Sequence, residues 1–229
     1  MIVQILMKYI SIDIETTGLE SEKNKVISVA AIIEDTSIKL PFNECPKFNV
    51  AVLQNELIGS ARAITINKEL ISLIADYQDA NDETRQLIDA HSEYKYIRED
   101  EVAKEFYWFL DENGFGYGSH NNSGGYGEFK DGKHRPAMNN STKPITINVA
   151  GKNFATFDKL FLEQLPWWKK LIKIRQRVLD PAILVVDWNN DTSLPNLKQC
   201  KERTGVEGIV THNALEDAWD VIEVMRKFY

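Results

Sequence analysis

Cysteine is scarce in this chain of 229 residues: Cys45 and Cys200 are the only two, far apart and in no Cys-x-x-Cys pattern. Neither a disulfide framework nor a thiolate metal site is expected, and a reducing, cytoplasmic location fits. Long apolar runs are also missing. No stretch reaches the ~18 residues that would span a bilayer, so no membrane partner is expected. The opening Met-Ile-Val-Gln-Ile-Leu-Met is too short for a signal core and lacks a basic flank. Without a secretory signal, the Asn-x-Ser/Thr triplets at Asn121, Asn139, Asn140 and Asn190 carry no meaning for glycosylation. Positive charge is in deficit, with a formal net charge of −7. That argues against a protein that coats long nucleic acid, but not against one that grips only a strand end. Gly-x-Ser-x-Gly and Walker patterns are absent, which removes the nucleophile elbow and the P-loop.

What is present suits one domain over residues 1–229. At 43% hydrophobic, the chain can bury a proper core. Ile10, Ile12 and Ile14 alternate with Tyr9, Ser11, Asp13 and Glu15, the period of a strand with one apolar face. Lys25–Ile33 reads as a second, more buried strand and Phe48–Leu53 as a third. Helices are expected over Asn67–Tyr77 with Asn67 as N-cap, and over Glu99–Leu110. Residues 112–144 are rich in Gly, Asn and Ser and read as an insertion or mobile loop. A strand over Pro144–Ala150 follows, then helices over Thr156–Leu165 and Trp168–Leu179. A short helix opens at Pro195, capped by Ser193 and stopped by Gly205, and a final one covers Asn213–Phe228. Three strands followed by helices around a further strand give an α/β fold with a mixed sheet flanked by helices.

Five residues in three separated stretches carry the chemistry. Asp13 and Glu15 share one strand face, ~6–7 Å apart. Asp158 lies near a helix start, where its charge suits the positive helix end. His212 just precedes the last helix and Asp217 lies on it. Four carboxylates and an imidazole are the parts of a two-metal phosphodiesterase site: hard divalent ions such as Mg²⁺ take oxygen ligands, and imidazole, which titrates near neutral pH, can take a proton from water. Each motif alone has a bland reading as a solvated strand face, a charged helix start or a capping arrangement. Their conjunction and order are what is specific.

Those stretches resemble the DEDDh 3′–5′ exonuclease family. Its first motif, Asp-x-Glu followed by Thr-Gly, stands here as Asp13-Ile14-Glu15-Thr16-Thr17-Gly18. Its second ends in Phe157-Asp158, and its third, His-x-Ala-x-x-Asp, is His212-Asn213-Ala214-Leu215-Glu216-Asp217. Leu179-Asp180-Pro181 followed by Leu194-Pro195-Asn196-Leu197 is similar to a phage or bacterial subgroup. The resemblance implies an RNase H-like fold and two divalent ions, Mg²⁺ or Mn²⁺, held by Asp13, Glu15, Asp158 and Asp217, with His212 as general base. It implies that the backbone of Thr16, Thr17 and Gly18 approaches a terminal 3′-OH, that Leu19 packs on the last base, and that single-stranded 3′ ends are the partner. One departure stands out: the family's Asn falls four residues before the Asp, whereas Asn153 is five before Asp158 and Phe154 holds the expected place. That leaves Asn153 an indirect role toward substrate.

A non-catalytic nucleic-acid-binding protein of the same fold and a metal-dependent phosphoesterase with a small substrate remain as alternatives. The sequence favours the enzyme because no ligand position is lost. DNA against RNA stays open, as does a homodimer, since relatives of this kind are often dimers. Trp167, Trp168 and Trp188 are weighed as base-stacking platforms, with core or subunit packing favoured. Asp180, Asp187 and Asp191 read as loop residues and His91, His120 and His134 as surface residues.

Overall fold

The alternation at the start of the chain builds an interior strand of the sheet. In the computed structural model, which describes residues 7–116, 126–128, 134–136, 138–139 and 141–229, β1 is Lys8–Thr16. It is followed by β2 (Val26–Asp35), β3 (Lys47–Leu53), α1 (Ala61–Ile66), α2 (Lys68–Asp79), α3 (Asp82–His91), β4 (Lys95–Arg98) and α4 (Val102–Glu112). The second half holds β5 (Tyr126–Glu128), β6 (His134–Pro136), β7 (Ile145–Ile147), β8 (Val149–Ala150), α5 (Asp158–Leu162), α6 (Trp168–Leu171) and β9 (Ile172–Ile174). It closes with α7 (Ala182–Val185), α8 (Leu197–Thr204) and α9 (Ala214–Met225).

Five strands form one mixed sheet in the order β4-β3-β2-β1-β8. β1–β2 and β2–β3 pair antiparallel; β1–β8 and β3–β4 pair parallel. The two faces of β1 enter two different cores, as period-two alternation dictates. Ile10, Ile12 and Ile14 pack with Phe106, Phe161, Leu162 and Trp168 from α4, α5 and α6. Tyr9 on the other face joins Ala218, Val221 and Ile222 of α9. Ser11 Oγ donates to Ala218 O at 2.7 Å and fixes the height of α9 on β1. A third cluster holds Leu70, Ile74 and Tyr77 of α2 against Ala51 of β3 and Tyr96 of β4, with Tyr77 and Tyr96 stacked at 4.2 Å. Among the described residues, no helix is long and apolar enough to cross a membrane.

Several sequence expectations need correction. The helix expected over Trp168–Leu179 is a single turn, Trp168–Leu171, which passes directly into β9. Ile172 is buried while Lys173 is exposed, which is strand alternation, and β9 pairs parallel with β7. The strand expected over Pro144–Ala150 divides at Asn148, whose carbonyl accepts from Ile10 N and whose amide donates to Lys8 O. The eighth helix is capped by Asn196 in a capping box with Gln199, not by Ser193. Its stop at Gly205, in the left-handed conformation, is as expected. Asn67 stands at the start of α2 but makes no side-chain cap bond. Within the Gly-rich 112–144 stretch, residues 117–125, 129–133, 137 and 140 lie outside the described residues.

Candidate active site

Asp13 and Glu15 project from the same face of β1 as Ser11, the face on which α9 lies. Asp158 is the first residue of α5, and the nearby backbone N–H of Ile14 favours its charged form. Asp217 sits in the first turn of α9, and the nearby backbone of Thr211 favours its charged form. Asn213 caps that helix by accepting from Leu215 N at 3.0 Å and Glu216 N at 3.3 Å. His212, one residue before the cap, is exposed and adopts a left-handed φ of 57°. Few non-glycine residues take that conformation.

The three stretches converge. One ligand atom each of Glu15, His212 and Asp217 lies within 4.8 Å of the others. Asp13 and Asp158 stand outside that trio, yet the charges of Asp158, Asp217 and Glu15 all act on Asp13. Burial, followed by those neighbours, holds the Asp13 carboxyl well above the usual range. Burial and the Asp217 charge push Glu15 up to about 8, against an opposing hydrogen bond from Asn67. Burial lifts Asp158 to about 7, and burial with the nearby Asp220 charge lifts Asp217 to about 6. The shared cause is the withdrawal of four acids from water.

That arrangement fits divalent ions on two counts. The donors are hard carboxylate oxygens with one imidazole beside them. Asp217 Oδ1 is buried without a hydrogen-bond partner in the described structure, as an acceptor left free for a cation would be.

Next to the acids, the turn after β1 is braced from behind. Thr17 donates through Oγ1 to Ile58 O at 2.6 Å and accepts from Lys25 N, while its carbonyl accepts from Ser60 N. Thr16 donates to Gly18 O at 2.7 Å. Thr16, Thr17 and Gly18 are buried, but Leu19 is 82% exposed, a free apolar side chain at the lip of the site. Asn153 is set apart: it is exposed, with φ 58°, and its N–H donates to Asp180 Oδ2 at 3.0 Å. A cavity of about 680 Å³ opens beside His212, between α8 and the segment 206–210.

Sequence reasoning missed Asn67, whose amide reaches Thr16 O at 3.2 Å and the Glu15 carboxylate. It also missed Tyr94, whose hydroxyl contacts Asn213 Nδ2 at 3.3 Å, and the buried Lys201–Asp220 pair behind Asp217. An Asn at a helix start and a Lys-Glu-Arg helix have ordinary local readings, so nothing in the local pattern marks either. Of the three tryptophans, Trp168 is core and stacks on Phe106 at 5.1 Å, while Trp167 and Trp188 are exposed. Asp180, Asp187 and Asp191 are loop residues, and His91 is on the surface, as expected.

A mixed five-stranded sheet in the order β4-β3-β2-β1-β8, with helices packed on both faces, is an RNase H-like α/β fold. Solved structures similar in fold include a moderately thermophilic Exonuclease I from Methylocaldum szegediense (TM-score 0.56, 15% identity, covering 96% of this chain and 40% of that one). Another is E. coli Exonuclease I in complex with a 5cy-dT13 oligonucleotide (TM-score 0.52, 13% identity, covering 97% and 40%). The chain thus spans about two-fifths of the length of these structures. No protein-family model and no curated protein matches it.

Proposed function

We propose that this chain is a metal-dependent 3′–5′ exonuclease acting on single-stranded DNA or RNA, built as one domain over residues 1–229. The convergence of Glu15, His212 and Asp217 within 4.8 Å, beside Asp13 and Asp158, carries the reading. Asp13, Glu15, Asp158 and Asp217 would hold two divalent ions, Mg²⁺ or Mn²⁺. When bound, such ions polarise the scissile phosphate and acidify the attacking water. His212 accepts that water's proton at a ring nitrogen, its exposed position giving it access to solvent. The braced backbone of Thr16–Gly18 orients the terminal nucleotide, and Leu19 covers its base. Asn153 acts indirectly, through the turn it shares with Asp180. The products are nucleoside 5′-monophosphates.

The test is cleavage of matched 5′-labelled DNA and RNA oligonucleotides with Mg²⁺ or Mn²⁺, with EDTA and Asp13→Ala as controls. A ladder that shortens from the 3′ end in the wild type and vanishes in both controls is expected, and the faster ladder names the preferred sugar. An inert wild type with metal bound would refute the enzyme in favour of a binding protein or a small-substrate phosphoesterase. Cleavage by Asp13→Ala would refute the site.

A further inference from the structure

A chain of net charge −7 nevertheless concentrates positive charge at one place. Between Glu163 and Asp180 there is no acidic residue, but Lys169, Lys170, Lys173, Arg175 and Arg177 all fall there. Lys169, Lys173, Arg175 and Arg177 are exposed, and none forms an ion pair with another described residue. The segment is anchored by its apolar positions, since Leu171 and Ile172 are buried and Ile174 is half-buried. Lys173 and Arg175 therefore alternate outward along β9 and the residue that follows it.

At the head of this segment stands Trp167. Its neighbour Trp168 is locked in the core, whereas Trp167 is 37% exposed and held in a left-handed conformation at φ 71°. Lys104 and Lys170 lie over its ring at 5.8 and 5.6 Å. An exposed indole flanked by cations offers a stacking face next to phosphate-attracting charge.

The path from this segment runs to the acids. Arg175 N donates to Ile147 O, and Leu179 bridges Ala150 in parallel, so the segment borders β7 and β8. Ala150 in turn stands beside Ser11 of β1, two residues before Asp13. All three run parallel toward the end of the sheet that carries Asp13 and Glu15. Strand spacings place Lys173, Arg175 and Arg177 roughly 15–25 Å from Asp13.

We propose that this basic edge, with Trp167 at its head, binds the sugar-phosphate backbone of single-stranded nucleic acid several nucleotides upstream of the 3′ end. The inference rests on the exonuclease reading for its direction, but its binding test does not need catalysis. The edge supplies the grip that a site crowded with carboxylates cannot. It makes the enzyme favour strands long enough to reach from the acids to β9.

The test compares wild type with Lys173→Gln/Arg175→Gln/Arg177→Gln, all exposed positions. Binding of a fluorescent single-stranded 20-mer is followed in EDTA across a salt series, and cleavage of the 20-mer and of a trinucleotide is followed with Mn²⁺. The triple variant should bind the 20-mer about 10- to 100-fold more weakly at 0.1 M salt, with a log–log salt slope reduced by about 2. Trinucleotide cleavage should stay within about twofold of wild type. An unchanged 20-mer affinity and slope overturns the inference, even if the wild type cleaves well. Lost binding in the variant together with an inert wild type would uphold the surface and refute the exonuclease reading. Trp167→Ala is the companion variant, expected to weaken 20-mer binding by about 5- to 50-fold without changing the salt slope.

Discussion

Binding of a divalent ion near neutral pH should expel protons from this protein, because the carboxyls proposed as its ligands hold them far above the ordinary carboxylate range. With Glu15 at about 8, Asp158 at about 7 and Asp217 at about 6, the site at pH 6.5 carries protons on most of its acids. Those values correspond to ~2 protons on the three groups together at that pH. Each must leave when its oxygen ligates a cation. Summing the occupancy from pH 8 down to pH 6 predicts that Mn²⁺ affinity falls by roughly 1,000-fold over those two units. Calorimetric titration with Mn²⁺ in two buffers of different ionisation enthalpy measures the released protons directly. A release below ~0.5 proton at pH 6.5, with affinity flat between pH 6 and 8, would refute the idea that these four acids form one metal-receiving cluster. The same shifts set the stability of the metal-free protein. Folded pKa values lie above unfolded ones, so the folded state binds more protons between about pH 4 and 8, and stability falls as pH rises through that window. For Asp158 alone, a shift of about three units is worth ~4 kcal/mol. The metal-free Tm should therefore be higher at pH 5.5 than at pH 8, and saturating Mn²⁺ should flatten or reverse that slope.

His212→Ala should lower turnover by about 10²- to 10⁴-fold while leaving Mn²⁺ affinity near wild type. Since His212 shares a 4.8 Å cluster with Glu15 and Asp217, a collapse of metal affinity would instead make it a ligand. Lys201→Met strands the buried Asp220 carboxylate, whose partner now sits at 2.5 Å, and should cost about 3–5 kcal/mol, read as a clear drop in Tm; an unchanged Tm would refute a structural role for the pair. At Gly59 an added Cβ would run into the carbonyl of Thr17, so Gly59→Ala should displace the Thr16–Gly18 turn and raise KM for oligonucleotides with metal affinity preserved.

The strands were legible wherever burial is one-sided or complete. β1 alternates cleanly, and β2 is a nearly continuous buried run, so both stand out. α1 and α3 did not, because neither buries a residue and so neither shows an apolar stripe. β4 is four residues long, too short for a period to show. Residues 168–179 were misread because Trp168, Leu171 and Ile172 match helical spacing; only pairing with β7 decides for a strand. At the site, the five candidate positions were singled out from local motifs, but their closeness is a tertiary property. The left-handed turn at His212 and the reach of Asn67 across to Thr16 leave no trace in local pattern.

The bond from Ser11 to Ala218 joins the first strand to the last helix, with nearly the whole chain between them. Asp13 and Glu15 stand on one side of that seam, His212 and Asp217 on the other. A molecule whose α9 has swung away keeps its sheet but loses Asp217 and the imidazole of His212. The undocking equilibrium of that one helix then sets the fraction of molecules competent to act, and amide exchange along α9 would report it. A ligand that bridges the seam would act as a fastener, drawing the population toward the closed, competent form.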